Sequence, residues 1–401
     1  MSLHPRSAKH LLVAPICTLL LAAPQAMAAN FSSLGDLAGG TFDSRVAAVS
    51  DDGSTIVGWS VNAAGTEAFR WTRRGGMQSL GVLADVPATN HNSIAGAVSA
   101  DGSVIVGYGA SATGTVAWRW TAATGMTSLG GLGGNDGFTR ADAVSADGST
   151  VVGYSSNSLH PNGTGYRWTQ STGMTDIGML PGDVWSWARN INADGSTIIG
   201  QSNTFSGGQA YRWTAASGMT GLGKPNGATN SSAGDMSADG SIIAGGAVIN
   251  GLSHAVIWSE SGGWEDLGTL AGYQQASNGG ISADGSLVFG QVFNYDQAKN
   301  TFTSEGTIWD RDHGMRSAED WLSNIYGLDL TGWTINYVAD ISDDGKTLVG
   351  FGINPNGNTE AWVADLHVAA VPLPAGVWLM GSGLLAIGGL RRKRQGQPLA
   401  A

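Results

Sequence analysis

Short apolar runs recur along the chain between polar, Gly-rich breaks. VIVGYG (104–109) is one; SADGS (99–103) precedes it and VAWRWT (116–121) follows. Val, Ile, Trp and Thr dominate these runs, and such residues favour strands. Val104, Ile105 and Val106 are consecutively apolar, which predicts a strand buried on both faces. Asp101-Gly102 predicts a hairpin with a two-residue turn, both central residues at positive φ. SLGVL (79–83) and SIAGAVS (93–99) supply two more strands, so the unit reads as four short strands.

The pattern repeats. Asp-Gly pairs place glycines at Gly53, Gly102, Gly148, Gly195, Gly240, Gly285 and Gly345, at intervals of 45 to 60 residues. A second glycine follows each by five residues, from Gly58 and Gly107 to Gly350. A tryptophan follows in each unit: Trp71, Trp120, Trp168, Trp213, Trp258, Trp309 and Trp362. Seven four-stranded units predict an all-β, seven-bladed β-propeller. The second glycine fits a place where a neighbouring blade or Trp approaches the backbone. An "LG" strand opens each unit and does not return after Trp362. The copy at 33–37 is therefore expected to complete the blade of Trp362 and close the ring. An open β-solenoid or two stacked β-domains are the alternatives, and a solenoid would need polar caps over its edges. The longest interval holds SAEDWLSNIYGLDLTGW (317–333), read as a short helix. Ser317 and Asp320 start it, Trp321, Leu322 and Ile325 form its apolar face, and Gly327 ends it. It is expected on the rim or as a plug over the channel end, with a lid as the alternative.

The two ends read as something other than propeller. Arg6 and Lys9, the apolar stretch 11–23, and the small residues Ala26 and Ala28 form a secretory signal peptide over 1–29. The propeller is then 30–368. The one cysteine, Cys17, falls in the signal, which excludes thiol catalysis and disulfides from the exported chain. VPLPAGVWLMGSGLLAIGGLRRKR (371–394) joins an apolar run to four basic residues. As a helix it would rise about 30 Å, enough to cross a bilayer with the basic block on the cytoplasmic side. Between the ends stand 14 Lys and Arg against 31 Asp and Glu, near −17. That balance argues against nucleic acid or anionic membrane as partners.

Val371, Pro372, Leu373 and Pro374, the apolar run, and Arg391, Arg392, Lys393 and Arg394 resemble the PEP-CTERM sorting signal of Gram-negative bacteria in its VPLP variant. Leu373 stands where the motif's name has Glu. The resemblance implies transient inner-membrane association, recognition by an exosortase after signal peptidase has acted, and delivery to the cell surface or exopolysaccharide matrix. AFRWT (68–72), with its variants AWRWT (117–121), GYRWT (165–169), AYRWT (210–214), AVIWS (255–259) and GTIWD (306–310), resembles the HAF family of extracellular repeats. That resemblance implies a surface-exposed protein and supplies no catalytic residues.

Direct chemistry is sparse. The repeated Asp before Gly reads as a turn residue, since Asp bonds its own backbone. Weak calcium binding is left for the doubled acids Asp51-Asp52 and Asp343-Asp344. Histidines are scattered, so no metal site and no cofactor is expected. Glu265-Asp266 and Glu319-Asp320 are acid pairs without the spacing a glycosidase needs. The binding candidates are aromatics outside the repeat: Trp185 and Trp187 in PGDVWSWARN (181–190), Tyr273 and Trp333. The reading is a non-enzymatic secreted or surface protein, binding exopolysaccharide or another surface protein. The alternative is a secreted polysaccharide-acting enzyme with carboxylates from several blades at a channel mouth.

Overall fold

Residues Val104–Ser111 form a strand whose successive side chains enter two different cores. Ile105 packs with Val57 and Ala68 of the preceding sheet. Val104 and Val106 pack with Ala141 and Val151 of the following one. Alternation along a strand and a neighbour on either side account for the continuous apolar run. Full burial of each such side chain stabilises by about 1.5–3 kcal/mol.

The computed structural model describes residues 29–86, 91–133, 137–158, 160–296, 299 and 301–367. The signal-peptide residues Ala26 and Ala28 and the sorting segment, Val371 to Arg394, lie outside them. His91–Val98, Val104–Ser111, Gly114–Thr121 and Gly125–Gly130 pair in that order, all antiparallel. The same four-strand order starts again from Gly39, Thr139, Trp185, Ala228 and Gln275. A further sheet runs from Thr334 to Asp365, and its outer place is taken by Asn30–Ser33, with Ser33 opposite Trp362. Each later "LG" strand hydrogen-bonds to the sheet before it in the chain, whereas the first, Asn30–Ser33, hydrogen-bonds to the last sheet. The fold is all-β and propeller-like, with several blades. Neighbouring turns are tied together: Ala100 N–H donates to the Ala146 carbonyl at 3.1 Å, and Ala146 N–H to the Ala193 carbonyl at 3.0 Å.

The SADGS loop differs from the expected two-residue turn. The strands end at Val98 and resume at Val104. The Ser99 carbonyl accepts from Gly102 N–H at 2.9 Å. Asp101 Oδ1 accepts from Ser99 Oγ at 2.8 Å and from Ser103 N–H at 2.9 Å. Only Gly102 needs a left-handed backbone, φ 69°. The Asp side chain completes a longer loop, so its own φ need not be positive.

At Gly107 and Gly350 the second glycine is approached by a Trp ring, as expected, and by the backbone of its own sheet rather than a neighbouring blade. A methyl on Gly107 would overlap the Ile94 carbonyl oxygen, from the same sheet's innermost strand, as well as the Trp118 ring. That innermost strand bulges here, between Ala95 and Ala97, and the bulge pushes its backbone onto the glycine. Trp362 also departs from its expected register. It lies opposite Gly350, as Phe69 lies opposite Gly58, so it holds the Phe69 position and not that of Trp71.

The helix α1 (Ala318–Tyr326) starts at Ser317, whose side chain accepts from Asp320 N–H, and ends at Gly327 in the left-handed region. Trp321 and Leu322 are buried, but Ile325 is exposed. One narrow turn at i and i+1 suffices to bury the contact, leaving i+4 in solvent. The helix packs against the strands Thr301–Asp310, Gly314–Ser317 and Thr334–Ile341. No helix residue lines the central channel, which excludes the plug.

Candidate functional site: charged groups in the channel

The innermost strands surround a cavity of about 300 Å³. At the bulge level its lining is Ala47, Gly96, Gly234, Gly279 and Ala339, broken by Asp142 and Arg189. At the turn level it is Ala100, Ala146, Ala193, Ala238 and Ala283, broken by Asp51 and Asp343. Small side chains keep the passage open, so the four exceptions project into it. The two levels lie four residues apart along a strand, about 13 Å.

Asp51 and Asp343 are 292 residues apart in sequence, yet both line the channel at the turn level, and each acts on the other's titration. Burial, then the Asp343 charge, push Asp51 up to about 6. Burial also raises Asp343. Two carboxyls that act on each other in this way lose their protons in separate steps, so one keeps its proton after the other has ionised. Their chain neighbours do other work. Asp52 Oδ1 accepts from Ser50 Oγ at 2.7 Å, and Asp344 Oδ2 accepts from Lys346 Nζ at 2.8 Å. Among the described residues no group of three or more His, Cys, Asp or Glu is placed to hold a metal ion.

Asp235 and Asp340 lie between the two levels. Asp340 accepts from Ile341 N–H at 2.8 Å and from Val49 N–H of the next sheet at 2.9 Å. Asp235 likewise accepts from Met236 and Ile281 N–H, each at 2.8 Å, and from Asn190 Nδ2. Both acids therefore clamp the bulge of one sheet to its neighbour. Burial pushes Asp340 up to about 8, against the Val49 N–H and with the Asp235 charge behind it. Burial, outweighing its N–H donors, brings Asp235 to about 6.

At the bulge level Asp142 accepts from Arg140 at 2.6 Å and from Trp187 Nε1 at 2.7 Å. Its burial raises it, and the Arg140 charge acts in the opposite sense. The Arg189 guanidinium stacks 3.7 Å from the Trp187 ring centroid. Next to this level lies an aromatic cluster. Tyr154 lies 5.4 Å from Trp187 and 6.0 Å from Phe138, and Arg140 sits over Tyr108 at 4.6 Å.

Of the aromatics expected to bind, only Trp187 touches channel-lining residues, Asp142 and Arg189. Trp185 stands two residues earlier, opposite Asn203. Tyr273 packs on the core between the fifth and sixth sheets. Trp333 meets Phe31 edge-on at 5.2 Å by the outer strand of the last sheet. Glu265 pairs with Arg311, Asp266 with His254, and Glu319-Asp320 open the helix. These aromatics were missed although they share a repeat position, the residue after the second glycine: Trp59, Tyr108, Tyr154 and Phe351. Aligning the units on that glycine finds them.

No protein-family model matches the chain, and a search of the curated proteins finds no similar one. The fold is similar to solved structures. The oligogalacturonate lyase of Vibrio parahaemolyticus is 11% identical, with 84% of this chain and 97% of that one covered and a TM-score of 0.54. A prolyl endopeptidase is 12% identical, with 85% and 50% covered and a TM-score of 0.50. TolB from Acinetobacter baumannii is 17% identical over 66% of this chain, which spans 63% of that chain's length, with a TM-score of 0.46. The class is thus the all-β, multi-bladed propeller-like fold. The expectation of a non-enzymatic protein is corrected here. The lyase and the endopeptidase are enzymes on this fold, and the channel holds convergent carboxylates that were not legible as such in the sequence.

Proposed function

We propose that the chain is a polysaccharide-acting enzyme whose acid–base group is the Asp51–Asp343 pair. One observation carries this: in a lining of Ala and Gly, two carboxyls from opposite ends of the sequence converge on one level of the channel; burial raises both, and each acts on the other. Cleavage of a glycosidic bond needs one group that gives a proton to the leaving oxygen and one that takes a proton elsewhere. A coupled carboxyl pair offers both states at once. Because the two acids titrate as a coupled pair, it serves as one proton-holding unit, unlike the separated nucleophile and acid of a retaining glycosidase, roughly 5 Å apart. Asp235 and Asp340 are positioning residues, since their oxygens are engaged by backbone N–H groups. The Phe138–Tyr154–Trp187 run offers ring faces on which sugars stack.

The reading includes a ring of seven blades closed by Asn30–Ser33, supported by that strand's pairing with Thr359–Asp365. It also includes export by signal peptidase and exosortase to the cell surface, supported by the terminal motifs. The test is incubation of the exported chain with neutral and acidic polysaccharides, followed by product sizing. New chain ends with the native protein and none with Asp343→Asn are expected. No cleavage of any polysaccharide by the native protein overturns the reading.

A further inference from the structure

A second cavity, about 470 Å³, opens beside the channel over the fifth sheet and is lined by Arg189, Asp235, Gly246, Ser232, His254 and Asn230 among others. Its origin is a local loss of bulk. The residue after the second glycine is Trp59, Tyr108, Tyr154, Gln201, Gln291 or Phe351 in the other units and Gly246 here. The facing innermost strand carries Ser232 where its neighbours place Arg140 and Trp187. The volume is that of a small-ligand site.

The charge at its edge is unbalanced. Arg140, Arg189 and Asp142 form a triad of two cations and one anion, and Arg140 takes the carboxylate at 2.6 Å. Arg189 is held by its stacking on Trp187, and no group among the described residues accepts a hydrogen bond from it. Burial lowers its hold on its proton, yet a guanidinium stays charged in a protein. The other ionisable groups of the cavity are engaged elsewhere: Asp235 with backbone N–H groups, and His254 with Asp266 at 2.7 Å. A planar guanidinium with free donors, beside a polar cavity, matches a carboxylate in a two-pronged hydrogen bond.

We infer that this cavity is a subsite for a carboxylate-bearing sugar residue, a uronate, held by Arg189. The inference rests on the polysaccharide reading and names its substrate class. The Asp51–Asp343 pair lies further along the same channel, so the subsite would anchor one part of a sugar chain while another meets the pair.

The experiment is calorimetric titration of the exported chain with trigalacturonate and with the neutral trigalactose of the same length. The acidic trimer is expected to bind about tenfold or more tightly, as loss of a charge-assisted hydrogen-bond pair implies. Arg189→Met should remove that preference, and Arg189→Lys should restore part of it. Gly246→Phe restores the bulk that Phe351 has at the equivalent place. A Cβ at this position meets Ser232 Oγ at 3.3 Å and the His254 carbonyl oxygen at 3.9 Å, and the cavity lies beyond, so the variant should fold and exclude both trimers. Equal binding of both trimers, no binding of either, or a preference indifferent to Arg189→Met and Gly246→Phe overturns the inference. The two readings fail separately. Uronate binding without cleavage of any polysaccharide removes the enzyme and keeps the subsite. Cleavage abolished by Asp343→Asn, without carboxylate preference, removes the subsite and keeps the enzyme.

Discussion

Asp51 and Asp52 are neighbours in the chain and differ in almost every physical respect. Asp52 belongs to the repeated turn. Burial tends to raise it, but hydrogen bonds from Ser54 and Ser50 outweigh that and hold it below the usual carboxylate range. Asp51 faces the channel and another acid, and is pushed up to about 6. One peptide step separates a carboxylate satisfied as an anion from one that keeps its proton. The same contrast recurs at Asp343 and Asp344. A repeat builds the first kind seven times. The second kind exists only where two units depart from alanine and stand side by side.

The largest effect expected of this contrast is on turnover. Asp51→Asn or Asp343→Asn should lower kcat by about 100-fold or more, the range for loss of a positioned acid–base group. Asp101→Asn, at a turn, should leave kcat within about twofold of native. The pH profile of kcat/KM should carry a limb near 6, where Asp51 titrates, and either channel variant should shift or erase it. Equal losses from channel and turn variants would dissolve the distinction.

The turn acids were legible in the sequence because their work is local. Asp101 acts on Ser99 and Ser103, two residues to either side. The strands were legible for the same reason: the apolar runs report two-sided burial directly. Trp362 was misplaced by two positions because a tryptophan at variable distance from Gly345 does not reveal strand register. Asp51 and Asp343 meet only through the ring, so nothing local announces the pair. The signal that was present is a departure within a repeat position, acid where Ala100, Ala146, Ala193, Ala238 and Ala283 stand. Arg189 and Gly246 are departures of the same kind.

The next effect is on stability. Asp340, near 8, and Asp51 and Asp235, near 6, bind protons more tightly in the folded chain than the usual Asp in an unfolded one, near 3.9. Between those values the folded state holds more protons. Their contribution is thus fully present below about pH 4 and is lost as pH rises through 6 to 8. The turn acids have the opposite sign, and their contribution is lost as pH falls below about 4. The melting temperature should therefore peak near pH 4 to 5 and fall by several degrees towards about pH 8.5. Asp340→Asn should flatten the alkaline part of that fall and leave the acid limb unchanged. A melting temperature that rises from pH 5 to 8.5 would contradict the assignment of these acids as proton holders.

The smallest effect separates the two kinds of acid by what replaces them. Asp101→Ala removes an acceptor from the buried Ser99 Oγ and from Ser103 N–H, which is exposed and can turn to water. The cost should be about 1 kcal/mol in urea unfolding. Asp101→Asn keeps an oxygen for both donors and should cost about half of that or less. At Asp51 the order should reverse. Alanine is what five other units carry at this place, and removing one of two adjacent acids relieves their repulsion. Asp51→Ala should therefore be neutral or stabilising above about pH 6, where the pair would otherwise ionise fully. A turn acid is then one whose loss weakens the fold, and a channel acid one whose loss strengthens it while abolishing turnover. Retaining a residue at the expense of stability is physically intelligible when its chemistry is needed.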